Sequence, residues 1–474
     1  MITHSSSRNR VLVISHDVIS TNMAGPGIRS LELACVLSEE LDVVLATPNE
    51  CDMEFDSIRI HPYRYGDWES FKGALNGVDV ILTTGFSLYE FQSIGELDIP
   101  IVVDLYDPFP LENLYLFEGS EREPLVHLTD LAIVDVMCTL GDFFLCATAR
   151  QRDWWLGVLL AKGRINPPVV AADPSLRCLI DEMPFGFPAR PFRGTGEGPR
   201  ERLPEISPDD RLILWGGGLW NWLDPLTLIR AMPTVLKQEP RAKLLFPGTR
   251  HPNNNVPEME RTREALALAK RLGLLDRQVF FGDWVPYESW PAYLADADVA
   301  VSLHFDTLET QFSAMRSRVL SYIWARLPMV VTEGDEASRM VAEHGLGEVV
   351  PYGDVEQVSK ALLRIMENGR SYYTANFDRL AQELTWQKVA QPLLAFCRNP
   401  QRAPDKSLKW VEAKRETAHL EGQHAQIRRQ EEQIRHQEEQ IQHLQETIDA
   451  YEQGRFMTLM RTLHQLRLRM LSRS

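Results

Sequence analysis

Short apolar runs rich in β-branched residues recur along most of the chain, and helix-like stretches separate most of them. This alternation is typical of parallel sheets whose strands are joined by helices. The first series consists of Val11–Ser15, Val43–Ala46, Val78–Thr83, Ile99–Tyr106 and Phe143–Thr148, and the second of Leu212–Trp215, Lys243–Pro247, Val279–Phe281, Val299–His304, Pro328–Thr332 and Glu348–Pro351. The sequence therefore predicts an α/β fold with two tandem Rossmann-like domains that face a cleft.

A stretch crowded with glycine, proline and charged residues separates the two series, and this composition is typical of a connection. It indicates a first domain over residues 1–190, a linker over 191–210 and a second domain over 211–385. Ligands of doubly wound sheets bind at the carboxyl ends of the strands, so we expect function on the loops that follow these strands.

The charge balance and the cysteines narrow the class of protein. The 474 residues carry 50 basic and 66 acidic side chains, a formal charge of −16, which disfavours binding to nucleic acid. The six cysteines are scattered without a C-x-x-C pair, which argues against a disulfide framework or a zinc site and fits a reducing cytosol. The apolar stretch Val11–Ile14 is too short for a signal-peptide core, and no apolar run reaches about 18 residues. We expect a cytoplasmic protein that meets any membrane at the inner face of the plasma membrane.

The tail contains a heptad pattern. Apolar residues occupy one heptad position and mostly glutamines occupy its partner: the first set is Leu420, Ile427, Ile434, Ile441 and Ile448, and the second is Gln423, Gln430, Gln437, Leu444 and Tyr451. After a linker over 401–417, this spacing predicts a coiled coil over 418–453 and a homo-oligomer held through residues 420–451. A single solvated helix is the alternative, because the glutamines also permit it.

Residues 454–474 form a basic end. Five arginines and no acid follow Gly454, and on a helix six apolar residues share one face: Phe456, Leu459, Met460, Leu463, Leu466 and Met470. A basic amphipathic helix fits an anionic membrane surface or the groove of an acidic partner. The alternative is that this helix packs on its own protein or on an oligomer partner.

Three glycine-containing turns follow predicted strands. Gly25–Arg29 follows the first strand and precedes a helix, where backbone N–H groups are free to bind an anion, although a structural turn is the alternative. Gly216–Gly218 opens the second domain, and three consecutive glycines are costly in chain entropy, so we expect a ligand, most naturally a phosphate, close to this backbone. Gly248 follows the next strand beside Arg250.

The most polar candidate site follows the strand Val299–His304. Its members are Glu309, Arg316, Arg318 and Ser321, with Glu333 and Asp335 after the next strand. Two arginines near the start of a helix form a diphosphate clamp that neutralises a leaving group without a metal ion. A solvated surface pair is the alternative.

Two carboxylates in the first domain point to the same cleft. Asp104 and Asp107 end the fourth predicted strand and are placed either to face the cleft or to cap a helix. No metalloprotease, P-loop, serine-hydrolase or EF-hand motif occurs in the sequence.

Together these segments resemble the nucleotide-sugar glycosyltransferases of the GT-B fold, specifically the bacterial family-4 members that build surface polysaccharide. The resemblance covers roughly residues 10–395. It is carried by the segments above and by Glu32–Ala34, Arg150–Trp155, Trp222–Pro225 and Phe246–Pro252. Trp386 and the helix Gln387–Phe396 are similar to the last segment of such chains, so a helix over 386–400 is expected to cross back to the first domain.

The resemblance implies that a glycosyl group passes from a nucleotide diphosphate sugar to a hydroxyl with retained anomeric configuration, and that no metal or other cofactor is required. The nucleotide is expected on the second domain. The acceptor, a lipid-linked glycan in polysaccharide or O-antigen synthesis, is expected on the first.

Residue roles follow from the same resemblance. The catalytic residues are expected to be Glu309 at the transferred sugar, Arg316 and Arg318 at the departing phosphates, and Asp107. The donor-binding residues are expected to be Gly216, Gly217, Gly218, Arg250, Val285, Ser321 and Glu333. The loop that closes on the donor and acceptor is expected to include Gly25, Gly27, Arg29 and Asp104.

The chain departs from the family pattern in several places: the usual glutamate pair is absent, Arg326 replaces the usual glycine before Pro328, and Leu219–Asp224 lacks the usual arginine and lysine. Typical members carry two glutamates separated by seven residues, and counting back from Pro328 places Ser313 and Ser321 there. This departure supports an alternative in which a catalytically degenerate protein serves as a coiled-coil scaffold for partner glycosyltransferases. A further alternative keeps the fold but performs epimerase or phosphorylase chemistry.

Overall fold

The computed structural model describes residues 8–253, 256–313, 315–407, 410, 430, 433–450 and 454–472. The chain divides into two compact units, Met1–Pro404 and Asp405–Ser474. Within the first unit we call residues 8–190 the first lobe and residues 211–385 the second lobe. Each lobe is built around one parallel sheet.

The sheet of the first lobe has seven strands: β1 Arg10–Ile14, β2 Asp42–Thr47, β3 Ile58–Pro62, β4 Val80–Thr83, β5 Ile101–Asp104, β6 Phe143–Cys146 and β7 Ile180–Glu182. They run in the order β3-β2-β1-β4-β5-β6-β7. The sheet of the second lobe has six: β8 Arg211–Trp215, β9 Ala242–Phe246, β10 Val279–Phe281, β11 Val299–Ser302, β12 Met329–Thr332 and β13 Gly347–Val350. Their order is β10-β9-β8-β11-β12-β13. In both sheets the order reverses beside the first strand, and a cleft forms at such a switch point.

Helices connect the strands and cover both faces of each sheet. In the first lobe they are α1 Gly25–Ser38, α2 Trp68–Phe71, α3 Gly85–Glu90, α4 Phe109–Leu116, α5 Glu123–Leu140, α6 Ala149–Ala161 and α7 Pro167–Ala172. Then follow α8 Pro199–Arg202, α9 Pro225–Gln238, α10 Glu260–Arg271, α11 Trp290–Asp296, α12 Leu308–Phe312, α13 Ser317–Trp324, α14 Glu336–His344, α15 Val355–Asn368, α16 Arg370–Leu380, α17 Trp386–Val389 and α18 Gln391–Arg398. Short 3₁₀ segments are Lys72–Leu75, Gln92–Glu96, Tyr287–Ser289 and Pro404–Lys406.

The predicted α/β fold with two parallel sheets is confirmed, and a strand forms at each of the predicted runs. Strands such as β1 and β8 are buried on both faces, which explains their continuous apolar sequences. The sequence analysis missed β3 and β7. Both lie at the edges of the first sheet, where polar side chains interrupt the apolar pattern.

The sequence pattern predicts helices over Ser30–Ser38 and Leu320–Arg326, and both helices begin earlier in the structure. Helix α1 starts at Gly25, so the predicted glycine loop is the first turn of the helix, which tolerates Pro26 because the first N–H groups have no partner within a helix. A Cβ on Gly27 would lie 2.4 Å from the carbonyl oxygen of Val18, so close packing requires this glycine. Helix α13 starts at Ser317, which makes Arg316 its N-cap and places Arg318 inside its first turn.

The chain passes between the lobes at two neighbouring points. The backbone of Phe187 accepts a hydrogen bond from Trp386 N at 3.0 Å and donates one to Leu384 O at 3.1 Å. Beyond this point α17 and α18 pack on the first lobe: Asn9 Nδ2 donates to Cys397 O at 3.0 Å, and the rings of Phe396 and Phe143 stack 4.9 Å apart.

The second unit contains two described helices, α19 (residues 433–450) and α20 Arg455–Leu471. Their side chains are exposed, including four apolar heptad residues: Ile434, Ile441, Leu444 and Ile448. Leu420, Gln423, Ile427 and Tyr451 lie outside the described residues, and the coiled coil stays a prediction. None of the described helices is both long enough and apolar enough to span a membrane.

Candidate active site

A cleft with a volume of about 1050 Å³ lies between the two lobes. Loops that follow parallel strands form its walls, as expected for doubly wound sheets. The predicted site residues that line it are Gly25, Asp107, Gly216, Gly217, Gly218, Val285, Glu309, Arg316, Arg318 and Ser321. The predicted residues that do not line it are Gly27, Arg29, Asp104, Arg250 and Glu333.

The turn Gly216–Gly218 is fixed by contacts with α13. The N–H of Gly216 donates to the hydroxyl of Tyr322 at 2.7 Å, so it is already used within the protein. The carbonyl of Gly218 accepts a hydrogen bond from Arg318 Nη2 at 2.9 Å. Gly217 has a φ of +80°, a conformation that favours glycine, so a side chain here would strain the turn.

Arg316 and Glu309 form a buried bidentate ion pair on the second-lobe wall. Arg316 Nη1 and Nη2 donate to the two carboxylate oxygens at 3.1 and 3.0 Å, and the Glu309 side chain is 1% exposed. Glu309 belongs to the short helix α12, and Arg316 caps α13, so the pair joins two consecutive helices. Asp335 lies behind the pair, with Oδ2 at 3.8 Å from Arg316 Nε and at 3.3 Å from His304 Nε2.

Both arginines of the wall retain unused donors. Among the residues that the structure describes, Nη1 of Arg318 and Nε of Arg316 are buried without a hydrogen-bond partner. Burial lowers the pKa of Arg318 to about 10, which still leaves it charged at neutral pH. An unpaired buried donor costs free energy, which a hydrogen-bond acceptor bound at this wall would offset.

Two carboxyl groups of the first lobe face this pair across the cleft. Asp107 follows β5, and Glu112 lies on α4; they hydrogen-bond each other, and the charge of Glu309 acts on both. Burial, with the charges of Glu309 and Asp104, raises the pKa of Asp107 to about 6. Burial and the charge of Asp107 raise the pKa of Glu112 well above its usual range. This direction favours the neutral form of Glu112, in which it can donate to Asp107.

Arg29 and Asp104 lie beneath the first-lobe wall, where they pair with each other. Arg29 Nε and Nη2 donate to the Asp104 carboxylate at 2.6 and 3.0 Å, and its remaining donors reach Met183 O at 2.9 Å and Pro184 O at 3.1 Å. Arg29 is 1% exposed and packs on the ring of Tyr106 at 4.5 Å. The geometry gives this pair a structural position under the cleft.

The remaining predicted residues are placed as follows. Arg250 and Glu333 are exposed, and their predicted roles at the donor stay predictions. The two serines that stand where typical family members carry glutamates hydrogen-bond to nearby backbone: Ser313 Oγ donates to Thr310 O and Ser321 Oγ to Ser317 O, both at 3.1 Å. Neither serine supplies a charge to the cleft.

Sequence reasoning missed Glu112 and His16 as residues of the cleft. His16 follows β1, stacks on Phe86 at 5.2 Å, and has a pKa lowered by burial. Glu112 lies on α4 after the predicted Asp104–Pro108 segment. The signal that the sequence offered for Glu112 was its position on a helix that begins just after a strand.

Direct contacts join the lobes beside the cleft. Trp284 Nε1 donates to Met23 O at 3.1 Å, and Asn253 Nδ2 donates to Asp17 Oδ1 at 2.8 Å. Gln151 Nε2 donates to Phe312 O at 2.9 Å. The structure thus shows the cleft with its two walls in contact.

Within the described part of the chain, no group of three or more histidine, cysteine, aspartate or glutamate side chains is arranged to hold a metal ion. The expectation that the reaction requires no metal or cofactor stays a prediction.

Comparisons with known proteins agree with this geometry. Residues 210–368, the second lobe up to α15, match the family Glycosyl transferases group 1. The D-inositol 3-phosphate glycosyltransferase of Segniliparus rotundus is 23% identical over 305 residues, which are 64% of this chain and 61% of that protein. These matches support glycosyltransferase activity.

Solved structures show the same fold. The sucrose-phosphate synthase of Thermosynechococcus elongatus superposes with a TM-score of 0.59 at 18% identity, over 82% of this chain and 98% of that chain. The Anabaena protein HepE, in complex with UDP-glucose, superposes with a TM-score of 0.58 at 14% identity, over 81% and 99% of the two chains. The two parallel sheets are therefore arranged as in GT-B glycosyltransferases.

Proposed function

We propose that this protein is a retaining glycosyltransferase that moves a sugar from a nucleotide diphosphate sugar to a hydroxyl without a metal ion. One observation carries the proposal: two buried arginines, Arg316 and Arg318, line a cleft beside the Gly216–Gly218 turn, and Nη1 of Arg318 has no hydrogen-bond partner among the described residues. Guanidinium groups bind phosphate oxygens with charge-assisted hydrogen bonds, and two of them offset the charge of a departing nucleoside diphosphate.

In this proposal the second lobe holds the donor. Gly217 and Gly218 border the diphosphate together with Arg318, and Val285 borders the base. Glu309, held by Arg316, faces the transferred sugar and can accept hydrogen bonds from its hydroxyl groups. Catalysis then consists of positioning and of stabilising the leaving group, while contact between the lobes excludes water.

The acceptor is proposed to be a lipid-linked glycan in polysaccharide or O-antigen synthesis. The helices of the second unit support this finer proposal. Helix α20 carries Arg455, Arg461, Arg467 and Arg469, has no acidic residue, and exposes apolar side chains such as Phe456 and Met470. Such a helix suits an anionic membrane surface, where a lipid-linked acceptor is found.

The donor site is tested by thermal unfolding with a panel of nucleoside diphosphates and their sugars. A ligand at one hundred times its dissociation constant stabilises the folded state by about 2.7 kcal/mol, so a matching nucleotide raises the Tm selectively. Arg316→Ala should abolish this shift. Arg339→Ala is the matched control, because Arg339 is exposed on α14 and pairs only with Glu336 and Glu343 of the same helix. No shift with any nucleotide would reject the donor site.

The predicted oligomer is tested in the full-length chain. Ile441→Asp places a charge in the heptad position and should lower the mass in solution, measured by light scattering. Gln442→Asp is the control, because Gln442 lies outside both core positions of the heptad. An unchanged mass for Ile441→Asp would eliminate the coiled-coil oligomer.

The membrane contact is tested by sedimentation with lipid vesicles. The chain should sediment with vesicles that contain anionic lipid and less with neutral ones, and Arg461→Glu should reduce the difference. Equal binding to anionic and neutral vesicles would argue that α20 packs on protein instead.

A scaffold without turnover is the second candidate function. Its support is that Ser313 and Ser321, which stand where typical family members carry glutamates, hydrogen-bond only to local backbone oxygens among the described residues. A nucleotide-induced thermal shift with no transfer to any lipid-linked acceptor would favour the scaffold.

A further inference from the structure

The first-lobe wall of the cleft is acidic. Four carboxyl groups line it, from Asp17, Glu32, Asp107 and Glu112. Among the described first-lobe residues that line the cleft there is no lysine, and the one arginine is Arg190 at the end of the lobe. The two buried arginines of the cleft, Arg316 and Arg318, lie on the opposite wall, and Arg316 is already bonded to Glu309.

The one arginine near the start of α1 is not available to a ligand. Arg29 donates to both oxygens of Asp104 and to two backbone carbonyls, and it is 1% exposed. Drawing it towards a ligand would leave the Asp104 carboxylate buried without its partner, which is strongly unfavourable.

Two other residues of this region could carry a positive charge, His16 and Arg190, but neither offsets the acidic side chains around Asp107. His16 is stacked on Phe86, and burial lowers its pKa, so the ring is neutral at neutral pH. Arg190 is the last residue of the first lobe and is exposed at the edge of the cleft, where its charge acts on Glu32. Neither places a fixed positive charge beside Asp107.

Asp107 and Glu112 stand opposite Glu309, at the place where an acceptor has to approach the donor. With the diphosphate of the donor occupying Arg318, a phosphate group here would meet the charge of Asp107 and no arginine other than Arg316, which is already paired with Glu309; like charges at short range repel strongly in a buried site. A sugar hydroxyl is a hydrogen-bond donor, and an ionised carboxylate accepts its proton with charge-assisted strength.

We infer that the reacting end of the acceptor is an uncharged sugar with free hydroxyl groups and no phosphate, and that Asp107 and Glu112 hold it. This inference rests on the proposed function and names its acceptor class. It separates this chain from the relative whose name specifies D-inositol 3-phosphate.

The inference is tested by measuring sugar binding to the full-length chain. The protein is first saturated with the nucleoside diphosphate that gives the largest thermal shift, because that nucleotide fills the proposed anion site. Matched pairs of D-glucose, D-mannose and N-acetylglucosamine with their 6-phosphates are titrated by saturation-transfer NMR at constant ionic strength. The double variant Asp107→Asn/Glu112→Gln keeps the size of both side chains and removes the negative charge that the hydrogen-bonded pair carries. Glu343→Gln on α14 is the control, because Glu343 is exposed outside the cleft.

We expect at least one uncharged sugar to bind the wild type ten or more times more tightly than its 6-phosphate, and the double variant to gain tenfold or more for the phosphate. Three results overturn the inference: a 6-phosphate that binds the wild type as tightly as its parent, a panel of uncharged sugars that does not bind, or a double variant that gains no more than the control. The absence of any nucleotide-induced shift instead marks failure of the proposed function itself.

Discussion

The structure contains two buried arginine–carboxylate pairs, one under each wall of the cleft, and they differ in what the arginine does with its other donors. Arg29 donates hydrogen bonds to Asp104 and to the backbone carbonyl oxygens of Met183 and Pro184. Arg316 bonds Glu309 in the same bidentate way, but its Nε has no partner among the described residues. All three side-chain nitrogens of Arg29 are hydrogen-bonded, as suits an arginine that holds the fold, whereas Arg316 keeps one nitrogen without a hydrogen bond in the described part of the chain, 3.8 Å from Asp335.

Arg29→Met should have the largest effect on stability. The substitution leaves Asp104 buried without a counter-charge, which costs about 3–5 kcal/mol of the free energy of unfolding. Denaturant unfolding of the purified variant measures the loss. A change below about 1 kcal/mol would contradict the structural role assigned to this pair.

Asp107→Asn tests the carboxyl group that lacks an arginine, three residues beyond Asp104. Because its pKa is raised to about 6, the folded state binds more protons than the unfolded state between about pH 4 and pH 6. The contribution of Asp107 to the free energy of unfolding therefore falls as the pH rises through this window and is constant above it. We expect the stability of the variant relative to the wild type to rise by up to about 3 kcal/mol from pH 4 to pH 7. Parallel stability curves for the two proteins would reject the raised pKa.

Arg318→Met separates ligand binding from stability. The substitution removes the hydrogen bond to Gly218 O and also a buried donor that has no partner, and because these two effects oppose each other the free energy of unfolding without ligand should change by less than about 1 kcal/mol. The nucleotide-induced stabilisation of about 2.7 kcal/mol at one hundred times the dissociation constant should disappear. Thermal unfolding with and without nucleotide measures both quantities. Retained stabilisation by nucleotide would place the anion elsewhere.

Arg10→Met should have the smallest effect. Arg10 pairs with Asp42 at 2.6 Å, but the side chains are 30% and 37% exposed. Water screens such a pair, so its removal should cost about 1 kcal/mol or less, measured by the same denaturant unfolding. A loss equal to that of Arg29→Met would show that burial does not distinguish the two pairs.

The sequence was informative where the apolar pattern is strong. Central strands such as β1 and β11 are continuous apolar runs, and their order along the chain suffices to predict two parallel sheets. The edge strand β3 is missed because only Ile58 of it is fully buried. The start of α13 is misplaced because Arg316 to Arg318 are polar and do not reveal where the apolar face begins.

The sequence allowed individual site residues to be predicted, but not which of them contact each other. Glu309, Arg316 and Arg318 follow a predicted strand, which is a local signal. The pairing of Arg29 with Asp104 joins residues 75 positions apart, so no spacing along the chain indicates it. Glu112 faces Glu309 only because two separate sheets meet, and this juxtaposition belongs to the fold as a whole.

The paired passages of the chain at Phe187 and Trp386 mean that the second lobe begins and ends at one place. Topologically it is an insertion in the first lobe, which resumes with α17 and α18. A domain whose two ends are neighbours can be cut out and replaced without reconnecting the host at a distance. The second lobe is therefore a cassette: exchange with the equivalent segment of a related chain, spliced at these two residues, would leave the first-lobe wall of the cleft untouched.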